Sequence, residues 1–173
     1  MEVSELLHLT KAPPRLQAHL ALVHDVAVRP TTEIGAAWPN VVVDQTAVHL
    51  GAATHDIGKV VHPQELSEPG HAHELAGRDL LVRWGWPERL GHFAVTHAGN
   101  LGANDPIEDL LVAVADKVWK GKREGGLEQA LVARLASVSG QDAWQVWLTL
   151  DDILTSAAEA GPERLHWQVS HPV

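Results

Sequence analysis

VVVDQTAVHLGAATHDIGK, residues 41–59, reads as a helix through the middle of the molecule. Val43, Ala47, Leu50 and Ala53 recur at three- and four-residue steps, the spacing of a helical stripe. The other sides are also largely apolar, and a helix apolar nearly all round belongs at the centre of a fold. The spacing predicts a helix over 41–57, with Gly58 placed as the C′ residue that ends it. Its last turn sets His55 beside Asp56. Buried ionisable groups are expensive unless paired or bound to metal. Adjacent helical residues point about 100° apart. The two side chains can therefore share an ion only at the helix edge, where other helices must supply the remaining ligands.

Working outward, Leu16, Leu20, Val23 and Ala27 predict a helix from Pro13 to about Val28. Pro13 and Pro14 suit its first turn, and Arg29-Pro30-Thr31-Thr32 reads as its stop. A loop is expected near Trp38-Pro39 and another over Val60–Gly70. Helix returns over His71–Trp84, with Leu75, Leu80 and Leu81 inward, and again from Pro87 to about Ala98. After a turn-rich loop, Pro106 opens a long helix through Trp119, with Ile107, Leu110, Leu111, Val114 and Val118 inward. Leu127–Val138 and Ala143–Ala158 complete the helices, and Gly161–Val173 receives no assignment. No strand pattern of useful length appears. The chain reads as all-α, a compact bundle of about six to eight helices. A single domain is expected over 1–173, with its motif-bearing core over about 15–120 and further helices within 127–160.

Composition narrows the chemistry. The 173 residues contain no cysteine, which excludes disulfides, thiolate catalysis and Cys-ligated zinc. Any metal site must use His, Asp or Glu, ligands that suit Mn, Fe, Co, Ni, Zn or Mg. The formal net charge of −9 argues against general nucleic-acid binding and against docking on anionic membranes. An anionic substrate then needs local positive charge, which a bound cation supplies. Twelve His is high for this length. The seven Trp, with one Phe and no Tyr, are read mostly as core or groove wall. No membrane-length apolar run and no signal-peptide pattern appears, so a cytoplasmic location is expected.

A second His-Asp pair, His24-Asp25, serves as an internal control. It lacks the Gly-Lys ending and reads as a surface or helix-end pair. His49 reads as a core or groove residue, and His8, His62, His166 and His171 as surface. Lys59 is placed either to hydrogen-bond a phosphate oxygen or to stabilise the helix C-terminus. Lys117, Lys120, Lys122 and Arg123 read as a solvated helix end, with the gathering of phosphates as the alternative.

His55-Asp56-Ile57-Gly58-Lys59 resembles the signature of the HD superfamily of metal-dependent phosphohydrolases, in its HDIG form. The segment around His19, which lies 36 residues before His55, is similar to the family's first helix, and Ala113-Val114-Ala115-Asp116-Lys117 to its last motif. The resemblance implies that His19, His55, Asp56 and Asp116 ligate one metal. His73-Glu74-Leu75-Ala76-Gly77 and Thr96-His97-Ala98 look like the extra motifs of two-metal members. By that likeness His73 and His97 join a bridging Asp56 around a second ion, with His71 and His92 as competitors for their roles. The resemblance covers residues of about 15 to 120. It implies one or two divalent ions and hydrolysis of a small phosphorylated substrate such as a nucleotide, with a metal-activated water as nucleophile. Asp56, Lys59, His73 and His97 are then the catalytic candidates, the two His as proton donors to the leaving oxygen if not bound to metal. Two other readings use the same ligands: a di-iron oxygenase, and a non-enzymatic metal-stabilised binding or regulatory module. The pattern of cyclic-dinucleotide phosphodiesterases with a Gly-Tyr-Pro motif is missing.

Overall fold

Three helices meet at the centre: α2 (Pro14–Ala37), α3 (Gln45–Thr54) and α7 (Ile107–Val118). The structure is a computed structural model that describes residues 2–173. α1 (Val3–Leu9) precedes them. Between α3 and α7 come 3-10 turns at Ile57–Val60 and Pro63–Leu66, α4 (Ala72–Arg83), and the four-residue α5 (Glu88–Gly91) and α6 (Phe93–Thr96). α8 (Gly125–Ser139), α9 (Ala143–Ala158) and α10 (Gly161–Val169) follow. Eight of these helices have seven residues or more, and no strand occurs among the described residues. The all-α expectation therefore holds. α9 packs on α2 and α8 on α7, so the C-terminal helices share one buried apolar cluster with the centre. No helix among the described residues is long and apolar enough to cross a membrane.

The expected stop of α2 at Pro30 is wrong. The helix runs on to Ala37 with Pro30 buried inside it. A proline there forfeits one backbone hydrogen bond and costs about 3 kcal/mol. Ile34 and Trp38 lie beyond it, both buried, and burying two such side chains returns about 3–6 kcal/mol. Thr31 and Thr32 donate from their hydroxyls to Ala27 O at 2.7 Å and Val28 O at 2.9 Å, which supports the turn around the proline.

α3 is shorter than expected at both ends. Asp44 caps it, its Oδ1 accepting the Ala47 N–H at 2.9 Å, and Val42 before it is 91% exposed. At the other end the backbone leaves the helix at Asp56, with φ −100° and ψ 8°. His55 and Asp56 thus reach one site because the helix ends between them, rather than from adjacent positions of one continuous helix.

Gly58 is not a left-handed C′ residue; it sits within a 3-10 turn and is absent from the positive-φ glycines. Its requirement is close approach. A Cβ there would lie 1.9 Å from the His73 carbonyl oxygen and 2.5 Å from Gly77 N. α4 crosses against the turn backbone to backbone, and this contact lays His73 over Asp56.

Other expectations also change. The helix expected over 87–98 is divided at His92 into α5 and α6. Leu81 is buried, but Leu75 is 55% exposed. Trp38, Trp86 and Trp119 are core and Trp84 walls a surface groove beside Trp86, as expected for most of the Trp, whereas Trp144, Trp147 and Trp167 are exposed. α1 and α10 had no sequence assignment.

Candidate metal centre

The six candidate ligands converge although they come from five segments. α2 supplies His19, the end of α3 His55 and Asp56, α4 His73, the end of α6 His97, and α7 Asp116; all six are buried. His19 Nε2 lies 3.1 Å from Asp56 Oδ2, 3.3 Å from His55 Nε2 and 3.7 Å from Asp116 Oδ1. His55 Nε2 lies 3.4 Å from Asp116 Oδ1. On the other side of the same carboxylate, Asp56 Oδ1 is 3.1 Å from His73 Nε2 and 3.4 Å from His97 Nε2. Two donor groups, His19–His55–Asp56 and Asp56–His73–His97, are each compact enough to hold an ion, and they share Asp56.

The imidazole tautomers follow from their outer partners. His55 Nδ1 is 2.9 Å from Ala52 O, His97 Nδ1 3.2 Å from Phe93 O, and His73 Nδ1 2.5 Å from Glu65 Oε2. A neutral imidazole has one N–H. Spent on those acceptors, it leaves all three Nε2 atoms as bare lone pairs aimed at carboxylate oxygens. His73 Nε2 and Asp56 Oδ1 are buried without a hydrogen-bond partner despite their proximity. Lone pairs converging on anionic oxygens call for a cation, and the all-N/O donor set suits first-row divalent ions. The residues fit the ions that the resemblance implies.

Electrostatics agree with that geometry. Burial by itself would raise Asp56, but the His55, His19, His73 and His97 rings outweigh it and hold the carboxyl well below the usual range. Asp116 behaves alike: burial opposes ionisation, and His55, His19 and Lys117 more than compensate. For His73, burial disfavours the charged ring, yet Asp56 and Glu65 prevail and raise its proton affinity. Both carboxylates are therefore ionised, the state in which their oxygens can ligate a cation.

A cleft of about 290 Å³ opens over the cluster, lined by His19, Asp56, Lys59, His73, His97 and Asp116 and rimmed by His71, Lys120 and Gln168. Lys59 Nζ donates to Asp56 Oδ2 at 2.5 Å, and Lys117 Nζ to Asp116 Oδ2 at 2.7 Å. Lys120 and Lys122 are exposed at the helix end, as expected, but Lys117 and Arg123 are not simply solvated. Arg123 is clamped between Glu128 and Asp151.

The competitors stand apart. His71 is at the rim, bonded to Glu74 at 2.7 Å, and His92 is outside, 3.4 Å from Asp109. His24 pairs with its neighbour Asp25 at 3.1 Å, far from the cluster in role, and His49 lies against it in a groove. Sequence reasoning missed Glu65. Besides His73 Nδ1, it accepts the backbone N–H groups of Ala72 and His73, each at 3.1 Å, and so caps α4 from outside. It also missed Asp109, a buried acid on α7.

Comparison with known proteins gives two findings. Residues 19–119 match the family model described as HD domain. The HD domain of the L. monocytogenes phosphodiesterase PgpH superposes with TM-score 0.58 at 15% identity, covering 89% of this chain and 95% of that one. The same domain in complex with cyclic-di-AMP gives TM-score 0.57 at 15% identity, covering 89% and 93%. At this identity the likeness shows a shared fold. No curated protein matches the chain.

Proposed function

Since the chain belongs to the HD domain family, we propose that it is a metal-dependent phosphohydrolase acting on a phosphate ester at a two-ion centre. The observation that carries this reading is the double use of Asp56: Oδ2 faces His19, and Oδ1 faces His73 and His97. His19, His55 and Asp116 complete one half, His73 and His97 the other. Divalent ions bound by these residues would supply Lewis acidity toward the attacking water and charge neutralisation at the phosphoryl oxygens.

The chain's own groups do the rest. Asp56 and Asp116 stay ionised, which fixes the negative charge that retains the cations. Glu65, Ala52 O and Phe93 O hold the ligand imidazoles in one tautomer, with Nε2 inward. In this reading His73 and His97 are ligands, so neither protonates the leaving oxygen. Lys59 keeps one N–H on Asp56 and has two more for a phosphoryl or leaving oxygen. The buried ring of Trp119 and the side chains of Lys120 and Gln168 bound the outer cleft, where the ester's organic part sits. A nucleotide is the proposed substrate class. Its support is the shared fold with a domain described in complex with cyclic-di-AMP, together with Lys59 and Lys120 in the lining of the cleft.

The test is elemental analysis of the purified protein and of Asp56→Ala, followed by a phosphoester screen with the metal found. Two equivalents with turnover, both lost in the variant, support the reading. Metal that raises thermal stability without turnover would instead identify a binding module. Oxygen uptake by an iron-loaded protein would identify an oxygenase.

A further inference from the structure

Asp109 is a buried acidic side chain that the metal centre does not use. It lies in the first turn of α7, beside Ile107, Leu110 and Leu111, and is 3% exposed. A buried carboxylate is costly unless its partners compensate. Its partners come from one short stretch: Thr96 Oγ1 donates to Asp109 Oδ1 at 2.7 Å, and His92 Nε2 lies 3.4 Å from the same oxygen. The Thr96 hydroxyl has one proton, and its other acceptor, His92 O, is farther away at 3.3 Å.

That stretch delivers His97. α5 and α6 have four residues each and meet at His92. A single turn of helix is not stable alone, because nucleation is unfavourable. The position of His97 must therefore be fixed by tertiary contacts. Phe93 and Ala94 are buried and secure one side of the turn. Thr96, adjacent to His97, secures the other through Asp109. Asp109 precedes Asp116 by seven residues, about two helical turns, so the two acids share a face of α7.

We propose that Asp109 is a positioning residue: it ties the His97 turn to α7 through Thr96 and thereby sets the distance between the two halves of the centre. The metal readout of this proposal rests on the two-ion reading above; the backbone readout does not.

The experiment compares wild type with Thr96→Val, Thr96→Ser and Asp109→Ala. Amide hydrogen exchange is followed in metal-free protein, and stepwise Mn or Co affinity by titration. Thr96→Val keeps the volume and loses the donor, so it remains informative if Asp109→Ala fails to fold. Expected are exchange about 10-fold faster over residues 93–98 with α2 and α3 unchanged, and a second-ion affinity weaker by about 10–100-fold with the first unaltered. Thr96→Ser restores both. Wild-type exchange and second-ion affinity in folded Thr96→Val overturn the proposal. A wild type that takes up only one ion refutes the two-ion reading, and exchange in the metal-free protein still decides the anchor.

Discussion

The two halves of the centre are built differently. His19, His55 and Asp116 sit on α2, α3 and α7, which pack against one another through the main apolar core. His73 and His97 sit on a helix start and a four-residue turn, steadied by Glu65, by Thr96 with Asp109, and by the contact of Gly58 with α4. Hydrophobic burial sets the first half; a few polar bonds and one glycine set the second. Core contacts are numerous and shared among several helices, whereas the second half depends on contacts that can be removed one at a time.

Substitutions can break that contrast in order of size. Asp56→Ala belongs to both halves, and after desalting it should retain neither ion and show only background turnover. Gly58→Ala should come next. Its Cβ would drive into the His73 carbonyl, so α4 must move, at a cost of about 1–3 kcal/mol. Metal content should fall from two equivalents to one, and loss of both would show that the halves are not separable. Glu65→Gln keeps the shape but removes the charge behind His73. Second-ion affinity should drop about 10–100-fold in calorimetric titration while the melting temperature barely moves. The smallest effect lies outside both halves. Asp44→Ala removes the cap of α3 and should cost about 1 kcal/mol, with both ions retained.

That last cost has a definite pH dependence. The Ala47 N–H outweighs burial and, with Arg89, holds Asp44 below the ordinary Asp range in the folded state. Its contribution is complete above the unfolded value and fades as pH falls through the folded one. Urea unfolding should show the full gap between wild type and Asp44→Ala at neutral pH and a smaller gap near about pH 3. An undiminished gap in acid would mean that the carboxylate is not the cap.

The same contrast explains what the sequence made legible. α7 and α9 are found nearly to the residue, because buried faces of helices leave a periodic trace. The resemblance to the HD motif order, not periodicity, singles out His19, His55-Asp56, His73, His97 and Asp116, the residues that the fold brings together. Glu65 leaves no such trace, since it reaches His73 across an irregular loop where no period operates. Asp109 hides beside Glu108 in a helix first turn, where acids are common for reasons of dipole alone. Pro30 misleads because its local cost is visible in sequence while the distant burial of Ile34 and Trp38 is not. Gly58 misleads in another way: its position suits a helix cap, and only the crossing of α4 reveals why no side chain fits.

Trp119 makes the first half observable without a label. It is buried, and its ring meets that of His19 edge to face with centroids 5.0 Å apart. With no Tyr in the chain, ultraviolet emission comes almost wholly from Trp. Open-shell Mn or Co bound beside His19 quenches an indole at such range, whereas closed-shell Zn does not. Buried indoles emit to the blue of the exposed Trp144 and Trp147, so filling of the core-built half is read as selective loss of the blue edge of the spectrum.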